Sequence, residues 1–225
     1  MNLQNLTFKI NEIFGPTIQG EGPLVGINCL FIRFNGCDYR CSFCDTKYSY
    51  ENFKEMTLNE ILRTLKRLSK KTRTVVLTGG NPCLQDLGFL IDKLKENQYY
   101  VNVETQGSIF PYWLNKVDLV VLSPKPPSSN SPFDATKFLE GISSLHVPYV
   151  IKIVIDTEKD FKWFKSLYKK CFKNSVVYLQ VCTHLNDSPL EILKNYKKLV
   201  KRVLNEDQFE KIFILPQLHV LGDLK

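Results

Sequence analysis

Short apolar runs alternate with helical patterns along nearly all of this 225-residue sequence, and this alternation most constrains its fold. The runs predict strands at residues 8–14, 29–34, 74–77, 101–105, 119–122, 149–155, 176–181 and 211–215. Apolar periodicity predicts helices at residues 58–68, 84–97, 112–115, 134–144, 158–171 and 190–204. Strands that alternate with helices form parallel βα units in one sheet, so the sequence predicts an α/β fold.

Polar and glycine residues cluster where the predicted strands end. Gly79 and Gly80 follow one strand, Glu104 lies near the end of the next, and Ser123 follows a third. Open parallel sheets and barrels bind their ligands at this edge. We therefore expect a ligand site there, and a barrel or partial barrel in preference to a doubly wound sheet.

Composition narrows the class of protein. Hydrophobic residues make up 44% of the chain, enough for the core of one domain over residues 1–225. No apolar run approaches the ~18 residues that span a bilayer, so we expect no membrane partner. Residues 1–6 lack a basic region before an apolar one, which predicts no signal peptide. Seven cysteines in such a chain favour a reducing, cytoplasmic compartment over a disulfide framework.

The net charge of +7 raises the question of nucleic-acid binding. The lysines, however, are spread over several predicted helix faces, and no basic tract is interleaved with aromatic residues. This distribution favours a solvated basic surface, and we expect no nucleic-acid partner.

The cysteine loop, residues 37–46, carries the strongest chemical signal. Cys37, Cys41 and Cys44 have the spacing C-x3-C-x2-C directly after a predicted strand. Thiolates are soft ligands that bind zinc or iron–sulfur clusters. Structural zinc takes four protein ligands, whereas three cysteines on a cubane cluster leave one iron open to a small molecule. The three histidines lie at no zinc-finger spacing, which favours the cluster; a zinc site closed by a distant ligand is the alternative.

Two glycine-containing turns accompany the cysteine loop. Residues 78–82 (TGGNP) fit a strand-to-helix turn, in which glycine permits positive φ and proline starts the next helix. Residues 19–22 (QGEG) fit a flexible surface turn. Neither turn alone indicates a particular function, but each becomes a specific signal in combination with the cysteine loop that lies between them.

Together these motifs resemble the radical S-adenosylmethionine superfamily. There, three cysteines hold a [4Fe–4S] cluster that binds S-adenosylmethionine, and a GGEP motif contacts the methionine amino group. Asn81 stands here in place of that glutamate, and Glu104 is a candidate to supply the missing charge. The stretches QGEG, CDT (44–46), ETQG (104–107), SPKPP (123–127) and PQLH (216–219) narrow the resemblance to the 7-carboxy-7-deazaguanine synthase family, from about residue 10 to the last residues.

The resemblance implies roles for individual residues. Cys37, Cys41 and Cys44 would hold the cluster, and Thr46 would ligate Mg²⁺. The residues implied for S-adenosylmethionine are Phe43, Cys44, Asp45, Gly79, Gly80, Asn81, Glu104, Ser123, Pro124, Lys125 and Gln180. The residues implied for the substrate are Ile18, Gln19, Gly20, Glu21, Arg33, Thr78 and His219.

Three of these residues have simpler alternatives. Arg33 lies in an apolar strand, where its guanidinium needs a carboxylate, and Glu12 or Glu21 could supply one in place of a substrate. Thr46 fits a turn or helix-cap hydroxyl equally well. His219, without the resemblance, fits a surface histidine.

The resemblance also implies an activity. It implies a partial (β/α)6 barrel of the radical S-adenosylmethionine type, with a reduced set of helices, and a homodimer. The reaction would convert 6-carboxy-5,6,7,8-tetrahydropterin to 7-carboxy-7-deazaguanine with loss of ammonia, in queuosine biosynthesis. A 5′-deoxyadenosyl radical would take hydrogen from C6 of the pterin, with electrons from a flavodoxin-like or ferredoxin-like donor.

Two other functions fit parts of the sequence. A glycyl-radical-enzyme activating enzyme shares the cysteine loop, but it has no reason to carry QGEG or a terminal QLH. A zinc-stabilised nucleic-acid-binding domain would explain the charge but not the motifs at successive strand ends.

Overall fold

The computed structural model describes residues 6–184 and 186–224, and nine strands form one sheet within them. The strands are β1 (Thr7–Ile18), β2 (Asn28–Phe34), β3 (Lys54–Thr57), β4 (Thr74–Gly79), β5 (Tyr100–Thr105), β6 (Leu119–Leu122), β7 (Tyr149–Ile155), β8 (Val177–Val181) and β9 (Ile212–Leu215). The helices are α1 (Leu58–Leu68), α2 (Gly88–Glu96), α3 (Ala135–Ser143), α4 (Glu158–Leu167), α5 (Pro189–Leu204) and α6 (Leu218–Leu221).

The sheet is mostly parallel, in the order β3-β1-β2-β4-β5-β6-β7-β8-β9. Strands β2 and β4–β9 run parallel, whereas β1 runs antiparallel to both β2 and β3. In the described chain the end strands β3 and β9 do not pair with each other, so the barrel is open. The predicted partial barrel is confirmed, with seven parallel strands where the resemblance implies six.

The helical complement is reduced between β5 and β6. That connection contains only a short 3₁₀ helix, Tyr112–Lys116, at the place where residues 112–115 predict a short helix. Trp113 and Leu114 of this turn are fully buried, so they cover the sheet as a longer helix would elsewhere.

Alternation along each parallel strand separates the core from the ligand face. In β7, Ile151, Ile153 and Ile155 pack into the main core, whereas Lys152 points into the cavity on the other face. β8 repeats this pattern, because Leu179 is in the core and Gln180 borders the cavity. In β7 and β8, the lysine and the glutamine inside the apolar strand are therefore the polar residues that reach the site.

Several predicted boundaries differ from the structure. Residues 84–87 are not part of α2, which begins at Gly88, because Gln85 is held by β1: it accepts from Lys9 N at 2.9 Å and donates to Lys9 O at 3.0 Å. The helix predicted at residues 158–171 is α4, which ends at Leu167 and continues as a π turn, Tyr168–Phe172. The sequence analysis missed β3 and α6, which are both four residues long.

No described helix combines the length and apolarity needed to cross a bilayer. Residues 1–5, which entered the prediction that no signal peptide is present, lie outside the described residues.

The capping box at the start of α1 provides a test of the fold. Thr57 Oγ1 accepts from Glu60 N at 3.3 Å, and the Glu60 carboxylate accepts from Thr57 N at 2.7 Å. We expect Thr57→Ala to lower the free energy of unfolding by about 1 kcal/mol, since it exposes helix N–H groups without a partner. Anaerobic urea denaturation checks this, with Thr57→Ser as the control that keeps the hydroxyl. Equal midpoints for the two variants would contradict the assignment.

Candidate active site

A cavity of about 250 Å³ opens at the carboxyl ends of the parallel strands. The predicted site residues that border it are Ile18, Gln19, Gly20, Glu21, Arg33, Cys37, Cys41, Phe43, Cys44, Asp45, Thr46, Thr78, Gly79, Gly80, Glu104, Ser123, Lys125, Gln180 and His219. Two predicted residues, Asn81 and Pro124, are buried and do not border it. The structure thus gathers nearly all of the predicted site into one cavity.

The thiols of Cys37, Cys41 and Cys44 are free and face this cavity. Each sulfur has a polar neighbour. The Gln106 amide lies 3.7 Å from the Cys37 sulfur, the Ser131 hydroxyl lies 3.2 Å from that of Cys41, and the Thr46 hydroxyl lies 3.6 Å from that of Cys44. Such neighbours stabilise thiolates by hydrogen bonding. Burial raises the pKa of the Cys37 thiol, and a bound metal offsets this by displacing the proton. The donor set fits a three-cysteine iron–sulfur site.

The turn after β4 holds the start of the cysteine loop. Asn81 N donates to Gly36 O at 2.7 Å, and a Cβ on Gly80 would lie only 2.1 Å from that same carbonyl oxygen. Glycine is therefore required at position 80, since any side chain would push the two turns apart.

The Asn81 side chain does not reach the cavity, which differs from the cofactor contact implied by the GGEP motif. It is fully buried and donates to Asp38 Oδ1 at 2.9 Å and to Ser108 Oγ at 3.1 Å. Its carbonyl oxygen accepts from Thr105 Oγ1 at 2.9 Å and from Cys83 N at 3.2 Å. These four bonds occupy the whole amide, so Asn81 fixes the cysteine loop through Asp38.

The segment after β6 also holds the cysteine loop, a role that sequence reasoning missed. Ser42 donates its N–H to Ser129 O at 2.9 Å and its hydroxyl to Ser128 O at 2.6 Å. Ser128 N donates to the buried carboxylate of Asp160 at 2.9 Å. Burial raises the pKa of Asp160, but hydrogen bonds from Ser128 and Thr157 outweigh it and lower the pKa.

The same cavity is bordered by a carboxylate–lysine network of Gln217, Glu21, Lys152, Glu104 and Gln19. Lys152 Nζ lies 2.5 Å from Glu21 Oε2 and 2.6 Å from Glu104 Oε2. Gln217 donates to the other Glu21 oxygen at 2.6 Å, and Gln19 donates to the other Glu104 oxygen at 2.7 Å. All four carboxylate oxygens therefore have a fixed partner.

Glu21 and Lys152 stay charged across the neutral range. Burial raises the pKa of Glu21, but Lys152 and the Gln217 bond outweigh it, and the pKa lies well below the usual value. Burial lowers the pKa of Lys152, but Glu104 and Glu21 outweigh it, and the pKa is raised. The stabilisation from Glu21 is lost only as pH falls through its lowered pKa, and that from Lys152 only as pH rises through its raised pKa.

Arg33 borders the cavity and is paired with Glu12, as one of its alternatives predicts. Its Nε donates to Glu12 Oε1 at 2.8 Å, and its guanidinium lies 5.6 Å from the centre of the Phe14 ring and 5.8 Å from that of Tyr48. The pair positions the guanidinium at the cavity wall beside the stacked rings of Phe14 and Phe31.

His219 is brought to the cavity by the C-terminal segment. Leu218 N donates to Gly20 O at 3.0 Å, and a Cβ on Gly20 would lie 2.0 Å from His219 Nδ1. The QGEG turn and the terminal QLH thus meet directly, although about 200 residues separate them.

Among the residues of the site that sequence reasoning missed are Lys152, Gln106 and Gln217. Lys152 had a visible signal, because it is the one charged residue in the apolar run 149–155. Gln106 and Gln217 lie inside motifs that were recognised, but only their neighbours were assigned roles.

Three further potential metal ligands lie at the ends of β7 and β8, and one of them, Cys182, borders the cavity. They are Asp156, Cys182 and His184, with His184 Nε2 2.9 Å from Asp156 Oδ1. Burial raises the pKa of Cys182 to about 12, and nearby aspartates add to the rise.

Comparison with known proteins first defines the class. Residues 31–120 match the radical SAM superfamily, in which a [4Fe–4S] cluster and S-adenosylmethionine are the cofactors. QueE from Escherichia coli superposes with a TM-score of 0.75 over 96% of each chain, at 23% identity, which establishes the shared fold.

Curated relatives define the family. A 7-carboxy-7-deazaguanine synthase from Bacillus subtilis (strain 168) is 35% identical to this chain, and the match covers 93% of both sequences. A second from Bacillus cereus is 34% identical over 93% of this chain and 94% of the relative. The chain belongs to the 7-carboxy-7-deazaguanine synthase family, and it is a radical S-adenosylmethionine enzyme.

The buried position of Asn81 changes what its substitution should do. We expect Asn81→Ala to lower the iron content after anaerobic reconstitution and to cost about 1–3 kcal/mol of stability, because it leaves buried partners unsatisfied. The matched control is Asn102→Ala on β5, where the buried amide has no hydrogen-bond partner among the described residues. Full iron content with weakened S-adenosylmethionine binding would contradict this and favour a direct contact.

Proposed function

We propose that this cavity converts 6-carboxy-5,6,7,8-tetrahydropterin to 7-carboxy-7-deazaguanine with loss of ammonia, in queuosine biosynthesis. The observation that carries the proposal is that three free thiols and a charged carboxylate–lysine network border one cavity. A site that only activated a partner protein would not need two lysine-paired carboxylates in the same cavity as the thiols.

The residues present fit both cofactors. Cys37, Cys41 and Cys44 would hold the cluster, which together with S-adenosylmethionine supplies a carbon-centred radical when bound. Gln180 is 2% exposed, borders the cavity, and its Oε1 has no hydrogen-bond partner in the described chain, so a polar ligand atom would satisfy it. Glu104 and Ser123 add oxygen acceptors on the same side.

The substrate side is formed by the other predicted residues. Gln19 and Glu21 present amide and carboxylate groups that match the donor and acceptor edge of a pterin. Arg33, held by Glu12, is the cation available to a substrate carboxylate. His219, held against Gly20, would close the cavity and exclude water.

The metal Mg²⁺ is part of the proposal. Thr46 borders the cavity beside Asp45, and hydroxyl and carboxylate oxygens are ligands that Mg²⁺ accepts. An ion there would bind the substrate carboxylate and orient the pterin ring relative to the cluster.

The proposal extends to the chain's partners. We place the whole chain in one domain, as a homodimer in the cytoplasm, where reducing conditions keep the cluster thiols free. The sheet ends at β9, whose Phe213 is 50% exposed, and an apolar edge strand supports self-association. The basic surface, including exposed Arg40 in the cysteine loop, supports docking of an acidic flavodoxin-like or ferredoxin-like electron donor.

A product assay tests this function. The anaerobically reconstituted protein, given the pterin, S-adenosylmethionine, Mg²⁺ and a reductant, should form 7-carboxy-7-deazaguanine, detected by mass spectrometry. Cys41→Ala should abolish product and lower the iron content. Cys171→Ala, at a cysteine that does not border the cavity, should retain both.

Other outcomes discriminate the alternatives. Methionine and 5′-deoxyadenosine without the deazaguanine would favour an activating enzyme. A colourless protein with tightly held zinc would overturn the radical chemistry altogether.

A further inference from the structure

The side chain of Lys152 is the most deeply buried charge at the cavity. It is 6% exposed and lies on the inner face of β7, between core residues Ile151 and Ile153. Placing an ammonium there carries a desolvation penalty, which two carboxylates offset. A sequence that needed only a stable sheet could place an apolar residue here, as it does at neighbouring positions.

The two carboxylates that pair with Lys152 belong to different parts of the site. Glu21 lies in the QGEG turn, on the side proposed for the substrate, and Glu104 ends β5, on the side proposed for S-adenosylmethionine. The ammonium contacts both carboxylates directly, at 2.5 Å from Glu21 and 2.6 Å from Glu104. It therefore sits between two ligands that must react with each other.

The network is closed, so its members cannot move independently. Gln19 donates to Glu104, and its own carbonyl oxygen accepts from Glu21 N at 3.2 Å. Glu21 is in addition held by Gln217 from the C-terminal segment. A ligand that reorients either carboxylate must shift Lys152, and through it the other carboxylate.

We propose that Lys152 is a positioning residue that couples the two ligand sites, so that binding of one ligand prepares the site for the other. The proposal rests on the proposed function, which assigns Glu21 to the pterin and Glu104 to S-adenosylmethionine. A cationic group of S-adenosylmethionine at Glu104 weakens the hold of that carboxylate on the ammonium. Lys152 then pairs more closely with Glu21 and fixes it in the orientation that the pterin needs.

Equilibrium binding without a reductant isolates this coupling, because neither ligand then reacts. We expect the pterin to raise the affinity of the cluster-containing wild-type protein for S-adenosylmethionine by roughly 5- to 50-fold, measured by calorimetry. Linkage requires S-adenosylmethionine to raise pterin affinity by the same factor, which is an internal check. In Lys152→Met the factor should fall to about one, while in Lys152→Arg, which keeps the charge, part of it should remain.

A matched lysine controls for the loss of an ion pair. Lys165 lies 2.5 Å from Glu206 on the outer side of the barrel and does not border the cavity. Lys165→Met should leave the coupling factor unchanged. If Lys152 had a purely structural role, Lys152→Met would lower the affinities for both ligands or the iron content. The factor by which each ligand raises the affinity for the other would stay as in the wild type.

The other possible results of these binding measurements overturn either the coupling proposal or the proposed function. If Lys152→Met fails to hold the cluster, the neutral but polar Lys152→Gln is decisive, and a wild-type coupling factor in that variant overturns the proposal. A wild-type protein that forms product but binds the two ligands independently also overturns it. A wild-type protein that binds no pterin overturns the proposed function instead, so the two failures are distinguishable.

Discussion

The buried ammonium of Lys152 joins two carboxylates that come from distant parts of the chain, and the cavity depends on it. Without that positive charge, Glu21 and Glu104 would face each other across a poorly solvated space and repel. With it, both are held by two-point contacts, and Glu21 and Lys152 remain charged at neutral pH. One wall of the cavity is therefore fixed before any ligand arrives, which is the usual basis of electrostatic preorganisation.

The cysteine loop is fixed by hydrogen bonds to the turns around it. The cysteine loop has no regular structure around its thiols, and three neighbouring turns hold it: Gly80–Asn81 after β4, Gln106 after β5, and Ser128–Ser129 after β6. Asp38 connects the first two, since it accepts from both Asn81 and Gln106. The parallel sheet makes this possible, because the ends of successive strands meet at one edge.

The alternation of strands and helices, the site at the strand ends and most of the residues around it could be predicted from the sequence, because apolar runs, helical periodicity and motif spacing are local signals. Lys152 was equally visible, as a charge inside an apolar strand, but its meaning depended on Glu21 and Glu104, which are 131 and 48 residues away. For Asn81, in contrast, the sequence motif did not predict the contacts that its side chain makes. Its motif suggested a ligand contact, whereas its burial among Asp38, Thr105 and Ser108 follows from tertiary packing that no local pattern encodes.

We propose that the cysteine loop and the carboxylate–lysine network act on one substrate in one cavity. Incubating the reduced, reconstituted protein with S-adenosylmethionine and pterin deuterated at C6 tests it most directly. We expect deuterium at the 5′ carbon of the adenosyl group and 7-carboxy-7-deazaguanine as product. Cleavage of S-adenosylmethionine with no deuterium in the adenosyl product would contradict it.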